Sequence, residues 1–128
     1  MKTFKQTYTI NTPKEKVWQA LVDPKIIDDW GAGPAKMSEE EGAEFSIWGG
    51  DIHGKNIEVK KGEKLVQDWI EGDWDEFSRV TFLLSGENGK TKVELLHENV
   101  PDKEAEELED GWKRYYLDPL KDLLEKFS

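Results

Sequence analysis

Between Ala35 and Val100 apolar side chains tend to recur at every second position, and from Ala105 to Phe127 they recur every three or four. That change of period constrains the fold more than any single motif. A run of hairpins presents one apolar face, and one long amphipathic helix follows to cover it. The helical stripe passes through Ala105, Leu108, Trp112, Tyr115, Tyr116, Leu120, Leu123, Leu124 and Phe127. Acids crowd its first turns while Lys113, Arg114, Lys121 and Lys126 come later, as the helix dipole favours. Pro119 has no backbone donor and crowds the carbonyl four residues back, which predicts a kink.

Turn chemistry sets the register of the hairpins. A two-residue turn at Gly49-Gly50 places Ile47 opposite Ile52 and Phe45 opposite Gly54, leaving Ser46, Trp48 and His53 on the outer face. A turn at Lys61-Gly62 puts Trp69 across from Gly54, where the indole can lie over a residue that has no side chain. Asn88-Gly89 pairs Leu84 with Val93, Phe82 with Leu95 and Val80 with His97 on one face, and Arg79 with Glu98 on the other.

Ahead of the hairpins, TFKQTYTI alternates as a strand, and Thr12, Pro13 and Glu15 have the spacing of a helix-starting capping box. Val17, Trp18, Ala20 and Leu21 give that helix an apolar stripe, which Pro24 ends. Asp23 and Pro24 then start a second short helix that turns Ile26, Ile27 and Trp30 inward and stops at Gly31. The fold expected is α+β. A curved antiparallel sheet of about six to seven strands wraps around the long C-terminal helix, with two short helices after the first strand, in one domain spanning residues 1–128.

The chain carries 18 Lys plus Arg against 28 Asp plus Glu, for a formal charge of -10. Such a field repels phosphate backbones and anionic headgroups, so neither nucleic acid nor membrane is an expected partner. With no cysteine there is no disulfide framework and no thiolate zinc site. MKTFKQTYTI lacks the apolar run of a signal peptide, so a cytoplasmic monomer without cofactor or metal is expected.

Five segments, TPKEKVWQALVDPKIIDDW, EFSIWGGDIHGKNIEV, KLVQDWIEGDW, TKVELLHENVP and DGWKRYYLDPLKDLLE, resemble in order the activator of heat-shock protein 90 ATPase homologue family. That family is a branch of the START-like (SRPBCC) superfamily. The resemblance covers nearly the whole chain and rests most on the GGDIHG hairpin, on Trp69 and on Gly111-Trp112. Its nearest pattern is the C-terminal domain of the eukaryotic co-chaperone. The resemblance implies a helix-grip fold, a non-catalytic binding protein and a heat-shock protein 90-class chaperone as partner. START-like relatives also imply an alternative, a carrier or sensor of a small hydrophobic ligand held between sheet and helix.

Two groups of residues serve those readings. Trp69, Phe82, His97, Trp112, Tyr115 and Tyr116 are the candidates to line a cavity, or else they fill it with packed rings. Trp48, His53 and Trp74 are the candidates for docking a partner, as exposed anchors beside steering charge. No residue is assigned a catalytic role: His97 has no triad partner nearby in sequence and reads as a neutral core histidine. His53 and Asp51 are too few for a metal site, and Glu39, Glu40, Glu41, Asp73, Asp75 and Glu76 read as solvated loop acids.

Overall fold

The computed structural model describes residues 1–72, 74 and 76–126. Six strands form one antiparallel sheet, ordered β1-β6-β5-β4-β3-β2. They are β1 (Lys2–Ile10), β2 (Glu44–Ile47), β3 (Ile52–Lys60), β4 (Lys64–Glu71), β5 (Ser78–Glu87) and β6 (Lys90–Val100). Two helices, α1 (Lys14–Val22) and α2 (Pro24–Trp30), follow β1. The chain ends in α3 (Ala105–Gly111), a π-helical turn (Trp112–Leu117) and α4 (Asp118–Lys126), one run of helix against the concave face of the sheet. The expected α+β helix-grip architecture is therefore present. The stretch around Ala35 contributes only a bridge from Lys36 to Ser46 rather than a seventh strand.

Local chemistry explains the helix ends. The Asp23 carboxylate accepts from the Lys25 N–H and Pro24 supplies the first position of α2, where no donor is needed. Gly31 closes that helix at φ 112, a conformation that only glycine adopts without steric cost. Helix α1 begins at Lys14 with Pro13 in the capping position, while Thr12 is buried and its carbonyl accepts from the Thr91 hydroxyl at 2.7 Å.

The hairpin registers emerge as the turns dictate. Ile47 pairs with Ile52, Phe45 with Gly54, Gly54 with Trp69, Val80 with His97 and Arg79 with Glu98. Two of the turns differ in construction. The β3-β4 connection has three residues, Lys61 to Glu63, and a register shift between Asn56 and Glu58 restores the pairing that a two-residue turn would give. The β2-β3 connection is a 3-10 turn over Trp48–Gly50 in which Trp48 itself has φ 50. That left-handed residue rotates the indole off the outer face, so Trp48 packs against the core cluster instead of pointing outward.

Alternation then builds a single core. Leu65 and Trp69 of β4, Val80, Phe82 and Leu84 of β5, and Val93 and Leu95 of β6 are all buried on the inner face. Opposite them lie Trp112, Tyr116, Leu117 and Leu120 of the terminal helix, with Trp18, Leu21, Ile27 and Trp30 closing one end. Burying each such side chain contributes roughly 1.5–3 kcal/mol, which outweighs the modest helix propensity of these short segments. The helical irregularity lies one turn ahead of Pro119: the Asp118 N–H reaches back five residues to the Lys113 carbonyl. Phe127, the last residue of the apolar stripe, lies outside the described residues.

Candidate ligand pocket and docking surface

The rings concentrate where β4, β5 and β6 face the π-helical turn. Trp69 stacks on Trp112 with ring centroids 4.7 Å apart, and Phe82 stacks on Tyr116 at 5.8 Å with the rings inclined by 28°. Trp112 and Tyr116, four apart on the wide turn, tilt against each other at 4.7 Å, and Trp30 reaches Tyr116 at 4.6 Å. These rings fill the middle of the wedge.

A hydrogen-bonded chain runs through the same layer. The Trp112 indole N–H donates to His97 Nδ1 at 2.9 Å, and His97 Nε2 meets the Ser78 hydroxyl at 2.8 Å. Because Nδ1 accepts, the proton of the neutral ring lies on Nε2, and Ser78 passes its own on to the Trp69 carbonyl at 3.1 Å. Burial drives the His97 pKa down to about 3. This histidine is a neutral core link between helix and sheet. On the far side of Trp69, its indole N–H donates to Gln67 Oε1 at 2.9 Å. Gln67 in turn donates to Asn56 Oδ1 at 2.9 Å, and Asn56 to the carbonyls of Ser38 and Glu40. Every buried polar group named here has a partner, which keeps a ring-rich interior in one arrangement.

A cavity of about 430 Å³ opens at one end of this packed layer, between the β3-β4 edge and the first turns of the terminal helix. Its aromatic walls are Trp48, Trp69, Trp112, Tyr115 and Tyr116, with Ile52 and Leu108 beside them. Its charged side chains are Asp51, Glu71, Glu104, Glu107 and Asp110. Glu71 is held above the usual carboxylate range by burial and by the nearby Glu104, Glu107 and Asp51. Burial also pushes the Tyr116 phenol up.

The residues expected at a cavity thus divide. Trp69, Trp112, Tyr115 and Tyr116 line it, whereas Phe82 and His97 lie deeper and do not. Tyr115 is 60% exposed and forms the outer lip rather than part of the buried seam. Trp48, expected on a docking face, belongs to this pocket: its indole donates to the Gly31 carbonyl at 3.0 Å and its ring meets Tyr116 edge-on at 6.4 Å. His53 is exposed on β3, and Trp74 is half-buried with its backbone N–H on the Glu71 carbonyl. Asp73 and Asp75, which flank Trp74 in the sequence, lie outside the described residues.

Two loop acids expected to be solvated have structural partners instead. Glu39 accepts from the Trp18 indole at 2.7 Å and pairs with Lys61 at 3.4 Å, and Glu41 accepts from the Val59 N–H at 3.1 Å. The acidic side of the pocket was not anticipated. Glu71 and Glu107 are 36 positions apart, so only the fold unites them; the spacing of Glu104, Glu107 and Leu108 on one helix face was the legible part of the signal. Among the described residues, no group of three or more His, Cys, Asp or Glu is placed to hold a metal ion, and no helix is long and apolar enough to cross a membrane.

A curved antiparallel sheet that grips a terminal helix and leaves a pocket between them defines a START-like helix-grip protein. Within that class the family is settled by sequence: the model for Activator of Hsp90 ATPase homolog 1-like protein matches residues 11–125, and the chain belongs to this family. An activator of 90 kDa heat shock protein ATPase homolog from Dictyostelium discoideum is 42% identical over 89 residues, covering 66% of this chain and 23% of that protein. The human activator homolog 1 is 24% identical over 121 residues, covering 93% of this chain and 35% of its own length. The chain therefore spans about a third or less of these curated relatives. The crystal structure of an HSP90 activator from Plasmodium falciparum superposes with a TM-score of 0.86 at 28% identity, covering 96% of both chains.

Proposed function

We propose that this chain is a non-catalytic, co-chaperone-like module that docks on a heat-shock protein 90-class chaperone and favours its ATPase-competent conformation. The observation that carries the reading is the family match across residues 11–125. The formal charge of -10 supports it, because an acidic surface suits a basic protein face. The mechanism is differential affinity: a module that binds the closed chaperone more tightly than the open one shifts the population toward turnover without contributing a reacting group. His53 and Trp74 are the docking residues of this proposal, being an exposed imidazole and a half-buried indole at one end of the β3-β4 hairpin. A coupled ATPase assay with the purified chaperone tests it. Turnover rises with added protein and then saturates, and the rise weakens when His53 and Trp74 are both replaced by alanine. Unchanged turnover at saturating concentration removes the proposal.

The cavity of about 430 Å³ favours a second reading, a carrier or sensor of a small molecule. Native mass spectrometry of freshly purified protein is expected to show a retained adduct, and a spectrum of bare chain alone, with no ligand found by titration, removes this reading.

A further inference from the structure

The lining of the pocket says more about a ligand than its size does. Among the described residues, the charged side chains that line it are all carboxylates, with no lysine, arginine or histidine beside them. Of these, Asp110 pairs with Arg114 at 3.4 Å, whereas Asp51, Glu71, Glu104 and Glu107 have no ion-pair partner among the described residues. Glu71 is half-buried beside three other acids, and burial together with their repulsion raises its pKa above the usual carboxylate range. A neutral apolar occupant would strip water from these carboxylates and return nothing, and an anion would be repelled. A cation relieves the repulsion.

A second observation points into the same cavity. Tyr116 is 2% exposed, lines the cavity, and no group among the described residues hydrogen-bonds its hydroxyl. A phenol at a cavity wall without a protein partner is left to water or to a ligand. The walls themselves, Trp48, Trp69 and Trp112 with Tyr115 and Tyr116, present ring faces and edges that attract a cation and accept a flat or aliphatic body.

We propose that the pocket binds an organic cation: a primary ammonium or guanidinium group on an aromatic or short aliphatic body, its charge against Glu71, Glu104 and Glu107 and its body among the rings. The inference rests on the small-molecule reading above and replaces its apolar ligand with a cationic amphiphile. It is independent of chaperone docking. The charge can arrive on a free amine or on an arginine side chain, and both present the same group to the acids.

The test is a titration of the purified chain by calorimetry and by tryptophan fluorescence, since three of the wall residues are tryptophans. The probes are phenethylamine, its uncharged analogue 2-phenylethanol, the anion 3-phenylpropionate, and a doubly capped tripeptide with arginine at its centre. Phenethylamine or the peptide is expected to bind at least about tenfold more tightly than the alcohol and the anion, as cation–π and charge contacts in a partly desolvated site supply. Whichever of the two binds more tightly identifies the source of the charge. The double substitution Glu71→Gln and Glu107→Gln is expected to weaken the cation by about tenfold without weakening 2-phenylethanol, whose desolvation cost it lowers. Its melting temperature reports on folding separately. Binding of the alcohol as tight as that of both the amine and the peptide overturns the proposal while the carrier reading survives. Absence of binding by every probe up to about 10 mM, an affinity of a few kcal/mol at most, overturns both.

Discussion

His97 shows how one buried side chain writes a pH dependence into the whole domain. Its Nδ1 accepts from Trp112, so protonation would set two donors face to face in a buried site. Burial holds the folded-state pKa at about 3 against the ordinary 6.5 of an imidazole, so between those limits the unfolded chain binds a proton that the folded chain refuses. The stability tied to neutral His97 is therefore complete above about pH 6.5 and is lost as pH falls toward 3. Between about pH 7.5 and about pH 5 the loss amounts to about 2 kcal/mol. Urea unfolding of wild type and His97→Phe at both pH values checks this. The wild type loses about 2 kcal/mol more than the variant over that interval, although the variant is the less stable at about pH 7.5 because Ser78 and the Trp112 indole lose their partner. Glu71 carries the opposite sign. Its raised pKa means that its charge destabilises the folded state near neutrality, and Glu71→Gln is expected to raise the melting temperature at pH 7 but not at pH 4. Gly54 offers a steric test. A Cβ there would collide with the Asp68 carbonyl on the neighbouring strand and press on the Phe45 ring at 3.1 Å, so Gly54→Ala is expected to cost at least about 2 kcal/mol in chemical denaturation.

Among the elements, the hairpin of β5 and β6 is the one whose local chemistry and tertiary role agree most closely. Asn88 and Gly89 have φ 54 and φ 76, the two left-handed residues of a turn whose twist matches that of its strands. Asn88→Ala is expected to lower stability by about 1 kcal/mol in a thermal melt, and Asn88→Gly is expected to be nearly neutral. Turn signals of this kind made most of the sheet legible in advance. The pairing of Gly54 with Trp69 was legible too, though for a partly accidental reason: a three-residue turn and the register shift near Ile57 cancel. Trp48 was not legible, because strict alternation assigns it to the outer face and only its φ of 50 turns it inward. The terminal helix turns Trp112, Tyr116 and Leu120 of its expected stripe into the core, while Tyr115 stays exposed and Phe127 lies outside the described residues. Its irregularity is a wide π turn over Trp112–Leu117, which the sequence pattern did not suggest. The ring-lined half of the pocket follows from periodicity, while its acidic half joins Glu71 at the end of β4 to Glu104 and Glu107 at the start of the helix. No local pattern connects those positions.

At the scale of the molecule, the charge distribution decides how the protein meets a partner. The net charge of -10 is not spread evenly: α3 carries Glu106, Glu107, Glu109 and Asp110 within seven residues and no base, and Asp51 and Glu71 face it across the pocket. Exposed acids of this kind contribute little to folding, since surface ion pairs such as Lys92–Glu94 or Arg114–Asp110 add a few tenths of a kcal/mol at most. Their combined field extends about a Debye length into solution and acts on encounter rather than on packing. If the proposed docking on a chaperone is steered by that field, its association rate constant falls by roughly tenfold between about 0.05 M and about 0.5 M salt, while the dissociation rate changes little. Stopped-flow mixing of the two purified proteins separates the two constants. Replacing Glu106, Glu109 and Asp110 with their amides is expected to flatten the salt dependence without moving the melting temperature by more than about 2 °C. A salt-independent association rate would mean that the acidic helix face does not steer the encounter, and that the charge acts on the pocket alone.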